Sequence, residues 1–184
     1  MKRITKTLAI LLVVCLLTAV GAALAEETVT ILLPINYFCI EEDETTSTQE
    51  QLDEHSTNGL LYEFTDDGQI RCTVTDQEAA LQAVIQDLED TFAEAQDQES
   101  VLYAKSFRKL EYNADLSEIT VICCKDDWGF LDSFYGMIFM TNARDYQLYS
   151  GVAENELKCV VRFVDENGEE IETEDLADYL DDEE

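Results

Sequence analysis

Short segments in which apolar and polar residues alternate occur in three pairs along the chain, which is the pattern of half-buried strands. In the clearest segment, Ile70, Cys72 and Val74 alternate with polar side chains. A turn sequence such as Asp66-Asp67-Gly68 separates the members of each pair. We therefore predict three β-hairpins, formed by residues 60–65 with 69–75, 106–112 with 118–124, and 157–164 with 169–173.

Two other segments carry apolar side chains at the three- and four-residue spacing of helices. The first helix follows residue 75, where Thr75 and Glu78 predict a capping box. Its apolar positions fall on one face: Leu81, Val84, Ile85, Leu88 and Phe92. The second helix is predicted from residue 126 or 127 to about residue 150, with Gly151 as its C-terminal stop.

These elements predict an α+β fold. The three hairpins and an N-terminal strand within residues 29–40 give one antiparallel sheet of six to seven strands, with both helices packed on one face. Residues 26–173 are expected to form a single domain, in which residues 41–58 are an acidic loop. Residues 174–184 are expected to be an acidic C-terminal tail.

Residues 1–25 have the features of a secretory signal peptide. Lys2, Arg3 and Lys6 precede an apolar run, and Ala23 and Ala25 supply the small side chains that a signal peptidase accepts. The alternative is an uncleaved membrane anchor, although the apolar run is short for a spanning helix. We therefore expect a secreted, extracellular protein that has no membrane segment after signal cleavage.

The chain is strongly acidic, with 41 acidic and 11 basic residues and a formal net charge of −30. Removal of residues 1–25 leaves 8 basic residues and all 41 acidic ones, a formal charge of −33. Such a surface repels nucleic-acid phosphates, so we exclude nucleic acid as a partner. It favours weak, delocalised binding of divalent cations such as calcium, but the sequence contains no calcium-loop motif.

The predicted second helix has more apolar residues than a helix needs to cover one face of a sheet. The residues of interest are aromatic: Trp128, Phe130, Phe134, Tyr135 and Phe139. Either the helix is buried on all sides within the domain, or one face contacts another protein. Aromatic residues are enriched at protein interfaces, so we interpret this set as a possible interaction surface for a homo-oligomer or a protein partner.

Five cysteines remain after signal cleavage, so at least one thiol is free or pairs with another molecule. Cys72, Cys123 and Cys159 occupy the apolar positions of three different strands, where cysteine serves as a small core residue. Cys39 and Cys124 are the candidates for free or reactive thiols. The single histidine, His55, is predicted to lie in the acidic loop without a metal-ligand partner.

No catalytic, cofactor-binding or metal-binding motif is present in the sequence. The general layout, seen in the 60–75 segment, the 112–121 segment and the 164–169 turn, resembles small secreted or lipid-anchored proteins of Gram-positive bacteria that have no assigned activity. We therefore expect a non-catalytic exported protein that binds a partner or self-associates. The alternatives are a weak calcium buffer and an extracellular enzyme that uses a cysteine or paired carboxylates. A polar pocket containing Cys39, Cys124 or His55 would favour the enzyme.

Overall fold

The computed structural model describes residues 28–33, 35, 37, 46–101 and 103–180, and it confirms the α+β class. The described strands are β1 (Thr30–Leu33), β2 (Leu60–Phe64), β3 (Ile70–Val74), β4 (Phe107–Tyr112), β5 (Glu118–Cys123), β6 (Val160–Asp165) and β7 (Glu170–Asp175). The described α-helices are α1 (Gln49–His55), α2 (Gln77–Gln96), α3 (Phe134–Tyr149) and α4 (Leu176–Leu180).

All three predicted hairpins are present. The pairs β2–β3, β4–β5 and β6–β7 are antiparallel, and β1 also pairs with β3 in antiparallel fashion. Gly68 and Gly168 sit in the turns of the first and third hairpins with φ of +82° and +83°. These left-handed conformations suit glycine because it has no Cβ.

The prediction of a single antiparallel sheet is wrong. The strands form a three-stranded sheet of order β1-β3-β2 and a four-stranded sheet of order β4-β5-β6-β7. In the second sheet β5 and β6 are parallel. The physical reason is the connection through α3, which lets the chain return to the end of the sheet where β5 began.

The prediction that only two helices pack on the sheet is also wrong, because α1 and α4 are helical as well. Helix α1 lies within the segment predicted as an acidic loop. Thr48 and Gln51 form a capping box at its start, and the Leu52 side chain is fully buried. At the other end of the chain, β7 continues to Asp175, and α4 follows it directly.

The two predicted helices differ from expectation at their starts. For α2 the capping residue is Asp76, whose side chain accepts a hydrogen bond from the Ala79 amide at 3.1 Å. Thr75 instead donates its hydroxyl to the carbonyl of Gly59 at 3.0 Å. Helix α3 begins at Phe134, because residues 125–133 form a short 3-10 helix and turns. Gly151, with φ of +88°, follows its end as predicted.

Buried apolar side chains from both sheets and from α1, α2, α3 and α4 form one hydrophobic cluster. Within this cluster the aromatic ring of Phe107 contacts the rings of Tyr135, Phe139 and Phe163. No helix among the described residues is both long enough and apolar enough to span a membrane. Residues 1–25, the predicted signal peptide, lie outside the described residues.

Candidate functional site

The five aromatic residues predicted as an interaction surface divide between the core and the surface. Tyr135 and Phe139 lie on α3, and their side chains are buried. Trp128 precedes the helix and is partly buried against Phe163, at a ring-centroid distance of 5.0 Å. Phe130 is 80% exposed and Phe134 is nearly half exposed. Only these last two side chains are therefore available to a partner.

Three further apolar side chains extend the surface that Phe130 and Phe134 begin. Leu131 is 71% exposed, and Met137 and Ile138 are also exposed. We call these five residues the apolar ridge. Phe134, Met137 and Ile138 lie on one face of α3 because residues three and four apart share a helix face. The rings of Phe130 and Phe134 meet edge to face with their centroids 5.4 Å apart.

The turn that carries the apolar ridge is fixed by a buried carboxylate. Asp132 accepts hydrogen bonds from the Ser106 hydroxyl at 2.7 Å and from the Gly129 amide at 2.9 Å. Ser106 lies immediately before β4, so this contact ties the turn to the sheet. The Ser133 hydroxyl donates to the Phe130 carbonyl at 2.9 Å. The exposed side chains therefore project from a backbone that is held in place.

Acidic groups approach α3 at two buried positions outside the apolar ridge. Glu174, from β7, lies over Gly136, where an added Cβ would collide with its carboxylate. Glu94, from α2, is close enough to Tyr135 to raise the pKa of its phenol, together with the larger effect of burial. The nearby cations are already paired, because Lys105 and Arg108 both bind Asp127. Lys105 in turn lowers the pKa of Asp127.

The three cysteines in strand register are buried, as predicted: Cys72, Cys123 and Cys159. Burial raises the pKa of Cys72 to about 11, and those of Cys123 and Cys159 to about 12. Their thiols are therefore protonated at neutral pH, where a thiol is a poor nucleophile. Cys124 is a half-buried free thiol. Cys39 lies outside the described residues.

His55, the last residue of α1, lines a polar cleft of about 500 Å³. Helices α1, α2 and α3 and strand β2 supply its walls. Cys124 is not among the lining residues. The presence of His55 in a polar cleft favours the enzyme alternative, but no cysteine is among the described residues that line the cleft.

Sequence reasoning missed the other polar groups of this cleft. Asp87 on α2 and Asn142 and Asp145 on α3 line it. Their signal is positional: Asp87 is three residues after the buried Val84, and Asn142 is three residues after the buried Phe139. A polar residue at a helix position that is otherwise buried can indicate a site. In this chain acidic residues are so frequent that the pattern cannot be recognised from the sequence.

Metal binding has little support within the part of the chain that the structure describes. No group of three histidine, cysteine, aspartate or glutamate side chains there could hold a metal ion.

Comparison with protein-family models, with curated proteins and with solved structures finds no match to this chain. The chemistry of its own surfaces is therefore the only guide to function.

Proposed function

We propose that this chain is an exported, non-catalytic binding protein that docks a partner protein through the apolar ridge. The observation that carries the proposal is the exposure of five large apolar side chains on a turn and helix that buried hydrogen bonds hold in place. Side chains on a rigid support lose little conformational entropy on binding, which favours affinity. The signal-like residues 1–25 support export.

The size of the apolar ridge indicates that its surroundings must contribute to the interface. Five partly exposed side chains offer on the order of 500 Å², which matches the largest functional patches of monomers. A standard interface buries about 800 Å² on each partner. The remaining contact must therefore come from the surface around the apolar ridge.

The net negative charge of the chain favours a basic partner over a second copy of the chain. Two copies would each carry a formal charge of −30, and they would repel each other. A partner with apolar side chains inside a lysine- and arginine-rich surface would gain from both parts of the interface. We therefore commit to a basic protein segment with apolar anchors as the occupant.

The test uses two labelled peptides of equal positive charge, one with tryptophan and leucine anchors among lysines and one with serine in place of the anchors. We expect the wild-type protein to bind the anchored peptide at least tenfold more tightly at 0.15 M salt. The double substitution Phe130→Ser and Leu131→Ser should remove that preference. Fluorescence anisotropy measures both affinities, and circular dichroism checks that the fold is retained.

Val101→Ser is the matched control, because Val101 is 99% exposed in the loop after α2. It should leave the preference unchanged. Equal affinity for both peptides would contradict the proposal, because it would show that charge alone accounts for the binding and that the apolar anchors contribute nothing. Sedimentation would reveal a concentration-dependent dimer, which would point instead to a second copy. If residues 26–184 bind the anchored peptide and the full chain does not, the occupant of the apolar ridge is the chain's own N-terminal segment.

A further inference from the structure

The polar cleft lies at the other end of α3 from the apolar ridge, and a small molecule would fit within its volume of about 500 Å³. Asn142 and Asp145 face it from α3, and Asp87 faces it from α2. Tyr62 from β2 and Tyr149 from the end of α3 are joined through their hydroxyl groups at 3.2 Å. The cleft is thus enclosed by elements that are distant in sequence.

One buried acceptor in the cleft has no partner. The Asn142 side chain is only 7% exposed, and its Nδ2 donates to Asp87 Oδ2 at 2.7 Å. That bond fixes the orientation of the amide, because an ionised carboxylate only accepts hydrogen bonds. Its Oδ1 therefore stays an acceptor, and no group in the described chain donates to it. A buried acceptor without a donor is costly, so the site suits a ligand that brings one.

The charges around Asn142 specify what kind of donor would fit. The cleft is lined by the carboxylates of Glu54, Asp87 and Asp145, and none of the described residues that line it is lysine or arginine. Arg144 acts on Asp145 electrostatically but lines a different cleft, beside β1. The lining also contains the aromatic rings of Tyr37, Tyr62 and Tyr149. Carboxylates and aromatic rings together favour an organic cation.

We propose that this cleft binds a protonated amine, with its N–H groups donated to Asn142 Oδ1 and to the carboxylate of Asp145. An ammonium group has three donors and no acceptor, so it complements a site in which acceptors are in excess. The amine is either a free small molecule or the side chain of a lysine in a bound peptide. This proposal does not depend on the apolar ridge, whose residues do not line the cleft.

The test titrates the full chain with 1,4-diaminobutane and with acetyl-Gly-Lys-Gly-amide at 0.15 M sodium chloride, which screens non-specific attraction. The uncharged analogues are 1,4-butanediol and the same peptide with norleucine for lysine. We expect one saturable site for an amine and none for its analogue. Saturation by the diamine alone identifies a free amine as the ligand, and saturation by the peptide identifies a side chain. Calorimetry gives the stoichiometry and affinity.

Two variants locate the site. Asp145→Asn should weaken amine binding at least tenfold, whereas Asp66→Asn removes one charge from an exposed turn and should change the affinity less than twofold. Amide chemical-shift changes in the wild-type protein should concentrate at residues 87, 142 and 145, which keeps the test valid even where a variant unfolds. Equal weakening by both variants, several weak sites, shifts spread over the surface, or no saturation at 10 mM would each overturn the proposal.

Discussion

Asp145 has the most strongly raised pKa of the described carboxyl groups. Burial raises its pKa from 3.8 to about 6, Asp87 adds to the increase and Arg144 opposes it. A carboxyl group with a raised pKa in the folded state costs no stability below pH 3.8 and its full penalty above pH 6. Asp145→Asn should therefore stabilise the protein at pH 7.5 by about 1–2 kcal/mol, after allowance for solvent screening, and by little at pH 4.

Urea unfolding at the two pH values measures this difference. The substitution changes Asp145 alone and leaves its titratable and charged neighbours in place. These neighbours come from several elements: Tyr37, Cys72, Asp87, Arg144 and Tyr149. Asp66→Asn again serves as the control, since its turn is exposed. A stabilisation by Asp145→Asn that is larger at pH 4 than at pH 7.5 would contradict the assignment of a raised pKa.

At the level of elements, local sequence patterns predicted where strands lie better than how distant strands pair. The alternation of Ile70, Cys72 and Val74 located β3, because a strand shows the same period wherever it lies in a sheet. The parallel pairing of β5 with β6 could not be predicted from alternation, since it depends on how α3 connects them. The start of α3 depends on a hydrogen bond between Ser106 and Asp132, which are 26 residues apart.

Gly59 lies between α1 and β2, and its backbone closely contacts the backbone of Asp76 at the start of α2. Its φ is +80°, and an added Cβ would collide with the backbone carbonyl of Asp76. Gly68 has a similar φ of +82°, but nothing lies within 4 Å of its added Cβ. We expect Gly68→Ala to cost about 1 kcal/mol for backbone strain alone, and Gly59→Ala to cost about 2–4 kcal/mol.

Urea unfolding of the two variants isolates the contact, because the backbone strain is the same in both. Gly59 also accepts hydrogen bonds from the amides of Thr75 and Asp76, at 2.7 and 3.1 Å, so a shift of its backbone would disturb both. Equal losses of stability in the two variants would show that the turn can relax away from Asp76.

At the scale of the whole molecule, α3 carries both proposed sites. The apolar ridge occupies the turn before the helix and its first turns, and the second half of the helix supplies Asn142, Asp145 and Tyr149 to the polar cleft. The excess of apolar residues in the sequence indicated the first site, although it could not separate the exposed Phe130 from the buried Phe139. The second site required the structure, because three acids among 41 carry no signal until helices bring them together.

The charge of the whole chain makes a prediction that involves no single site. Four ion pairs are found among the described residues, made by Lys105, Arg108, Lys109 and Lys125. With 41 acidic and 11 basic residues in the chain, the acidic side chains greatly outnumber the available cations. Self-repulsion of this kind is stronger in the compact state than in the unfolded chain. Screening by salt should therefore stabilise the fold.

We expect the melting temperature to rise by roughly 3–6 °C between 0.02 and 0.2 M sodium chloride, which corresponds to about 1–2 kcal/mol for a chain of this size. Tetramethylammonium chloride is the control, because screening depends on ionic strength and not on the identity of the cation. An equal rise in both salts assigns the effect to screening. Calcium chloride at matched ionic strength should raise the melting temperature further only where divalent ions bind the carboxylates. A melting temperature that stays constant or falls with sodium chloride would mean that the acidic surface does not oppose folding.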